Sequence, residues 1–502
     1  MFKKILIANR GEIAVRVARA CHELGIATVG VYSNVDRNSF HLRCMEEIVW
    51  IGDSPPQASY LDIERIVEAA KDIGAQAIHP GYGFLAENAS FAKACEDDGI
   101  VFIGPNSKAL ALVGDKVASR NTVKKIGVPI IPGMEGVTTE MHKFKKMAKE
   151  VGYPVIVKAS LGGGGKGMRI IYDEKELEQN VAAGQREAKS AFGDETVYLE
   201  KYINKPRHIE FQVLRDNFGN VVHLYERECS IQRRHQKVIE ESPSTALSEE
   251  LRTEMGEAAK NVIKAADYTN AGTVEFLLDS DGNYYFLEVN ARVQVEHPIT
   301  EMVTGVDLVR HQIMIAAGEK IGFKQNDISQ NGHAIESRIY AEDPVNNFLP
   351  SPGTILFLQE PNGPGVRVDS GIYQGCYVPP HYDPILSKII TWAETREMSI
   401  ARMRNVLKNY VILGIKTNIG FLIRIIQAKK FIIGDYHTHF IDENEQILLK
   451  TDNKLHHALI AAALITSEMK KGVRRGVFPG TESYHKEKTP WQELGQWEIC
   501  GR

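Results

Sequence analysis

The sequence predicts a multidomain α/β and α+β protein, and three observations carry that prediction. Apolar runs alternate with helical stretches up to Gly114, the mark of a doubly wound parallel sheet. From Asp115 onward, short strands surround a glycine cluster and lead to a hairpin, as in an α+β nucleotide-binding unit. Past residue 330, Pro and Gly clusters such as Leu349-Pro350-Ser351-Pro352-Gly353 punctuate short strands, which predicts a β-rich C-terminal domain.

In the first domain, residues 1–114, Lys3 to Ala8 reads as a strand, Asn9-Arg10-Gly11-Glu12 as a loop and Ile13 to Leu24 as a helix. Further strands fall at Thr28 to Tyr32, Ala77 to Ile78 and Val101 to Ile103. Gly-x-Gly-x-x-Gly is absent after the first strand, which argues against a dinucleotide enzyme. The second domain, 115–330, carries strands at Pro154 to Lys158 and Val197 to Glu200 within a mobile lid at about 132–203. Its hairpin pairs Gly272 to Leu278 with Tyr284 to Asn290 through the turn Asp279 to Asn283. The third domain covers 331–447, and 448–502 reads as an extension with a helix from Leu455 to Met469 and tryptophans at 491 and 497. No repeat of solenoid period is present.

At 502 residues the chain exceeds one hydrophobic core, and 43% hydrophobic with 25% charged residues is an ordinary globular composition. Lys plus Arg number 60 against 64 acidic residues, so the net charge of −4 gives no bulk drive toward nucleic acid or anionic membrane. The run Ile5 to Ala8 is shorter than a secretory core of about 7 to 15 residues, and no segment reaches the ~18 apolar residues of a membrane span. A cytoplasmic location is expected. The six cysteines form no C-x-x-C and no zinc spacing, so reduced thiols are expected.

The segment Gly162-Gly163-Gly164-Gly165-Lys166-Gly167 offers approachable backbone N–H groups and a cation, suited to phosphate oxygens and to a flap that closes over a nucleotide. It lacks the Gly-Lys-Ser/Thr ending of a Walker loop; the bland alternative is a flexible linker. Lys116 and Lys158 are candidate phosphate ligands, Lys158 because it ends an apolar strand. Glu288 and Asn290 share a strand face, and Glu275 falls within about one residue of the register opposite Glu288. Carboxylates that close repel unless a cation such as Mg²⁺ takes them as ligands. Arg292, Gln294 and Glu296 alternate and share a face if that segment is extended, a cation, an amide and a base suited to bicarbonate. Surface salt bridging is the bland alternative at both places. The cluster Gln232-Arg233-Arg234-His235-Gln236-Lys237 supplies further donors to phosphate or carboxylate. Without interleaved aromatics it makes a poor nucleic-acid patch.

Together these segments resemble biotin carboxylase, of the ATP-grasp family, almost collinearly from Lys4 to about Glu443. The blocks that carry the resemblance are Ile7 to Ala14, His79-Pro80-Gly81-Tyr82-Gly83-Phe84-Leu85-Ala86-Glu87-Asn88, Gly162 to Met168, Gln232 to Lys237 and Glu288 to Glu301. The resemblance implies an ATP-grasp central domain in which Lys116, Lys158, His208, Gln232 and His235 contact ATP, with Glu200, Lys201 and Ile203 in the adenine-binding linker. Glu275, Glu288 and Asn290 would hold Mg²⁺ or Mn²⁺. Lys237, Arg292, Gln294, Val295 and Glu296 would form the bicarbonate site, with Tyr82, Gly83 and Arg338 beside the biotin ring.

The chemistry implied is carboxylation of biotin through carboxyphosphate, with biotin as a substrate carried on another protein. Ala-Met-Lys-Met is absent and only Glu468-Met469-Lys470-Lys471 comes near it, so the biotin carboxyl carrier and the carboxyltransferase are expected on separate chains. The resemblance further implies a homodimer acting in an acetyl-CoA, pyruvate or related carboxylase. A different ATP-grasp ligase, forming carbamoyl phosphate or joining a carboxylate to an amine, would share the flap and the metal carboxylates. It would not need Gln294, Glu296 and Arg338 beside Tyr82-Gly83.

Overall fold

The architecture is taken from a computed structural model, which describes residues 1–159 and 168–450, together with Ile460 and Leu464. The glycine segment with Gly163, Gly164, Gly165 and Lys166 lies outside the described residues, as does the expected helix at 455–469 apart from Ile460 and Leu464, which are helical.

Strands β1 (Lys4–Ile7), β2 (Ala27–Ser33), β3 (Glu47–Gly52), β4 (Ala77–His79) and β5 (Val101–Phe102) form a parallel sheet in the order β3-β2-β1-β4-β5. Ile5, Leu6 and Ile7 are buried at successive positions because both faces of this sheet are covered, so the strand needs no polar alternation. The helix that follows runs Gly11–Glu23, starting two residues before the apolar pattern does, and Gly11 takes φ +66° to make the turn into it. Strand order reverses between β1 and β4. At that switch point Asn9 Nδ2 donates to the carbonyls of Pro80 and Tyr82, each at 2.7 Å. Gly81 makes this approach feasible, since a Cβ there would lie 2.8 Å from the same amide nitrogen. Crevices at the carboxyl ends of such strands are where doubly wound sheets bind ligands.

A small antiparallel sheet, β7-β6-β8, consists of β6 (Val155–Ala159), β7 (Arg169–Ile171) and β8 (Val197–Lys201). Phe144, Val155, Val157, Ile171, Leu177 and Leu199 give it a hydrophobic core of its own under the helices Met141–Val151 and Glu174–Phe192. This core lies within the part read as a lid.

The remaining main strands form one eight-stranded antiparallel sheet: β9 (Arg207–Arg215), β10 (Val221–Arg233), β11 (Gln236–Ser242), β12 (Asn270–Leu278), β13 (Tyr284–Asn290), β14 (His333–Tyr340), β15 (Val366–Ser370) and β16 (Ile385–Ala393). Their order is β13-β12-β9-β10-β11-β14-β16-β15. The β-rich third region therefore continues the central sheet, through β11 paired with β14, and adds the helices Arg396–Asn409 and Ile419–Gln427. The predicted hairpin is β12–β13, with Leu278 opposite Tyr284 and Glu275 opposite Glu288. Among the described residues, no helix is long and apolar enough to cross a membrane.

Candidate active site

A cavity of about 700 Å³ opens over the large sheet and is walled by the small sheet and the Tyr82-Gly83 turn. Its lining includes Lys116, Lys158, Glu200, Lys201, Ile203, His208, Gln232, His235, Lys237, Glu275, Glu288, Asn290, Arg292, Gln294, Val295 and Arg338. Glu296 lies beneath this wall, fully buried and in contact with Lys237 and Arg338. Apart from Arg233, the described residues singled out from sequence thus meet in one place, although they span more than half of the chain.

The cavity lining includes the apolar side chains Ile131, Ile156, Leu277 and Phe286 and also Lys201, whose Nζ donates to the carbonyls of Gly152 and Tyr153 at 3.0 Å each. The cations come next. Lys116 opens the helix Lys116–Lys125, and Lys158 projects from β6 to reach Glu200 at 2.6 Å; Arg120 also contacts Glu200. Burial, then repulsion from Lys116 and Arg120, brings the Lys158 ammonium down to about 8. Cations crowded to that extent favour a polyanion between them.

The β10–β11 hairpin turns through Arg234 and His235 at φ +49° and +67°, a left-handed pair that costs energy in residues other than glycine. Its effect is to hold His235 in the cavity wall beside Gln232 and Lys237, which face each other across the hairpin. Burial, and then Lys158, lower the proton affinity of His235. Arg233 turns aside to Glu342 and stacks 4.0 Å over Phe348, so only part of the basic cluster serves the cavity.

Glu275 and Glu288 are cross-strand partners. Burial would raise Glu275, but Lys237 and His208 outweigh it and hold that carboxylate well below the usual range. Burial and the charge of Glu275 raise Glu288. Two carboxylates so placed, with the Asn290 amide oxygen on the same strand face, are hard oxygen donors that fit Mg²⁺ or Mn²⁺ facing a phosphate chain.

The segment after β13 departs from expectation. Residues 291–296 form a turn-rich connection instead of an extended run, and Glu296, at φ −82° and ψ 10°, caps the helix His297–Thr304. Pro298 in the first turn starts that helix, and the chain turns at Val295–Glu296 to enter it. Arg292 and Gln294 still converge, with Nη1 donating to Oε1 at 2.8 Å, while Nη2 donates to Asn290 at 3.0 Å. Glu296 drops below them. Its Oε1 accepts from Lys237 at 2.7 Å and its Oε2 from Arg338 at 2.9 Å. Burial opposes the charge on Glu296, but these two cations outweigh it, and the carboxylate is held far below the usual range.

Sequence reasoning assigned no role to several groups that complete the site. Glu87 accepts from Arg292 Nε at 3.0 Å and from the Ala291 N–H at 2.9 Å. Glu210 contacts Lys237 and accepts from fully buried Arg227 at 2.6 Å; Glu240 accepts from Arg338 Nε at 2.6 Å. Glu210 was accessible to a period-two reading, two residues beyond His208 on β9. Glu240 was not, because its role depends on β14 pairing alongside.

Comparison with known proteins matches residues 1–110 to the biotin carboxylase N-terminal domain and 336–443 to the biotin carboxylase C-terminal domain. Residues 115–324 match the ATP-binding domain of the carbamoyl-phosphate synthase L chain. A pyruvate carboxylase subunit of Methanothermobacter thermautotrophicus is 54% identical over 443 residues, 88% of this chain and 90% of that one. Biotin carboxylase 1 of Bacillus subtilis is 51% identical, covering 88% and 98%. The biotin carboxylase domain dimer of the Hydrogenobacter thermophilus 2-oxoglutarate carboxylase, solved with MgADP, ADP and bicarbonate, superposes with a TM-score of 0.87 at 49% identity over 90% of this chain and 100% of that one.

Proposed function

The chain belongs to the biotin carboxylase family of ATP-dependent ligases, and on that premise we propose that it carboxylates biotin carried on a partner protein, supplying the ATP-consuming half of a two-step carboxylase. As an ATP-grasp enzyme of this family it forms carboxyphosphate. The observation that carries this reading is the buried Glu296 clasped by Lys237 and Arg338 beneath the wall of a cavity crowded with cations.

In this reading Lys116 and Lys158 take the nucleotide's phosphates, with His208, Gln232 and His235 beside them and the linker Glu200, Lys201 and Ile203 at the base. Mg²⁺ or Mn²⁺, held by Glu275, Glu288 and Asn290, neutralises phosphate charge when bound. Arg292, Gln294 and Val295 orient bicarbonate. With both cations on Glu296 the carboxylate is a poor base; a bicarbonate that draws Lys237 and Arg338 toward itself frees Glu296 to accept the proton. The bicarbonate oxygen then attacks the γ-phosphorus as the bond to ADP breaks. Carboxyphosphate gives CO₂ and phosphate, and the phosphate removes the ureido proton of biotin. Arg338 stabilises the resulting enolate oxygen until the ureido nitrogen captures CO₂, with Tyr82 and Gly83 flanking the ring.

The relatives include proteins named as subunits of pyruvate and 2-oxoglutarate carboxylases, which supports a separate carrier, a separate carboxyltransferase and a homodimer here. The final acceptor is chosen by the transferase. The test is ATP cleavage by the purified chain with Mg²⁺ and bicarbonate, with and without free biotin, together with fixation of labelled bicarbonate. Biotin-stimulated cleavage with matching label in biotin is expected. Bicarbonate-independent cleavage without carboxybiotin would transfer the chain to another ATP-grasp chemistry.

A further inference from the structure

We infer that Lys388 and Glu12 form a buried positioning pair, which fixes the Val295–Glu296 peptide and the Tyr82 side chain for the bicarbonate and biotin chemistry. The inference rests on the function proposed above and adds to it two residues that touch no substrate.

Lys388 lies in the middle of β16 and is 0% exposed, between Ser387 and Ile389, which are equally buried. Its neighbours across the sheet are Arg338 on β14 and Asp369 on β15. The ammonium donates to the Val295 carbonyl at 2.5 Å and lies 3.3 Å from Glu12 Oε1. Glu12, in the first turn of the helix Gly11–Glu23, accepts the Tyr82 hydroxyl on the same oxygen. One cation therefore joins β16, the switch-point helix, the Tyr82 turn and the connection that carries Glu296.

That connection needs such a tie. Residues 291–296 belong to no strand or helix, so no backbone ladder determines where the Val295 carbonyl and the adjoining Glu296 sit. Side chains must do so, and groups that orient a reacting residue have to be held rigidly themselves. Packing behind Glu12 is tight: a Cβ on Gly371 would lie 2.6 Å from the Glu12 nitrogen. Two other acids lie near Lys388: Asp369, which pairs with Arg367 at 2.8 Å, and Glu336, which is buried with both carboxylate oxygens unpartnered. Among the described residues, Glu12 is the acid in ion-pair contact with Lys388. Burying an ion pair seldom stabilises a fold more than apolar residues of similar size, so its place behind a reaction centre points to orientation.

Three variants of the full chain test this: Lys388→Met, Glu12→Gln and the double variant. Lys388→Met alone strands a buried carboxylate and should lose thermal stability; the double variant removes both charges and should regain most of it. The expected signature in the double variant is an unchanged KM for ATP with kcat/KM for bicarbonate reduced by ~10-fold to ~10²-fold, the scale of a misplacement of about 1 Å. Recovery of the bicarbonate and biotin constants together with the melting temperature would reduce the pair to a structural ion pair and overturn the inference. If the double variant does not fold, Glu12→Gln decides, since it keeps an acceptor for Tyr82: a raised bicarbonate KM is expected and an unchanged one overturns. A wild-type chain without bicarbonate-dependent cleavage would instead defeat the function proposed above.

Discussion

The Lys237 ammonium lies 2.7 Å from Oε1 of Glu296, and the same ammonium contacts Glu275 at 2.8 Å as well as Glu210. One cation thus holds together the proposed base, a proposed metal ligand and a structural acid that is itself paired to Arg227. In the function proposed above, bicarbonate entering here would compete for a lysine already in use, and that competition would couple its binding to the basicity of Glu296.

Glu296→Gln keeps the shape of the side chain and removes the proposed base. Bicarbonate-dependent ATP cleavage should fall by ~10²-fold to ~10⁴-fold, the usual contribution of a positioned general base. The dissociation constant for ATP, measured by equilibrium titration, should change little, because Glu296 lies outside the cavity lining that the nucleotide would touch.

Arg338→Ala removes the donor proposed for the biotin enolate. Formation of labelled carboxybiotin should drop by ~10²-fold to ~10³-fold, with a smaller loss in ATP cleavage measured without biotin. Equal losses in both assays would confine Arg338 to the bicarbonate step and remove its role at the enolate. A melting curve should accompany the assay, because the substitution also leaves Glu240 buried without its cation.

Lys158 has its proton affinity lowered to about 8, so in the free enzyme it is a cation below that pH and increasingly neutral above it. Affinity for ATP should be full below pH 8 and weaken above it by up to about tenfold per pH unit, the limit for loss of one proton. Lys158→Arg, which stays charged, should flatten that dependence in a titration between pH 7 and pH 9.5 (about the accessible range).

Asp36 ties the switch-point loop together: it pairs with Arg10 at 2.6 Å and accepts the Tyr60 hydroxyl at 2.7 Å. Burial opposes its charge, but Arg10 outweighs burial and lowers it from 3.8 to about 2. A carboxylate depressed on folding stabilises the fold above its unfolded value and loses that contribution as pH falls through the folded one. The difference corresponds to about 2 kcal/mol, present at neutral pH and lost between about pH 4 and pH 2. Asp36→Asn should therefore lower the melting temperature at pH 7, and the gap from wild type should narrow as the pH approaches 2.

The sequence by itself determined the parts of this protein that depend on local pattern. The loop after Lys4–Ile7, the hairpin that brings Glu275 to within about one residue of Glu288, and candidates such as Lys116, Lys158, Gln232 to Lys237, Asn290, Arg292, Gln294 and Glu296 were read from that pattern, whereas Glu200, Lys201, Ile203, His208, Val295 and Arg338 came from the family resemblance. Period-two alternation, turn residues and the spacing of charged groups are properties of neighbours along the chain, and in β12–β13 they specify the register directly. The shared face proposed for Arg292, Gln294 and Glu296 required an extended segment, and 291–296 instead turns into the helix that Pro298 starts. Tertiary structure alone decided that the C-terminal strands extend the central sheet, which brings Glu240 beside Arg338 and Lys388 behind Val295. Contacts between residues dozens to hundreds of positions apart leave no local periodicity, because they arise only when separate elements bury their charged faces against one another.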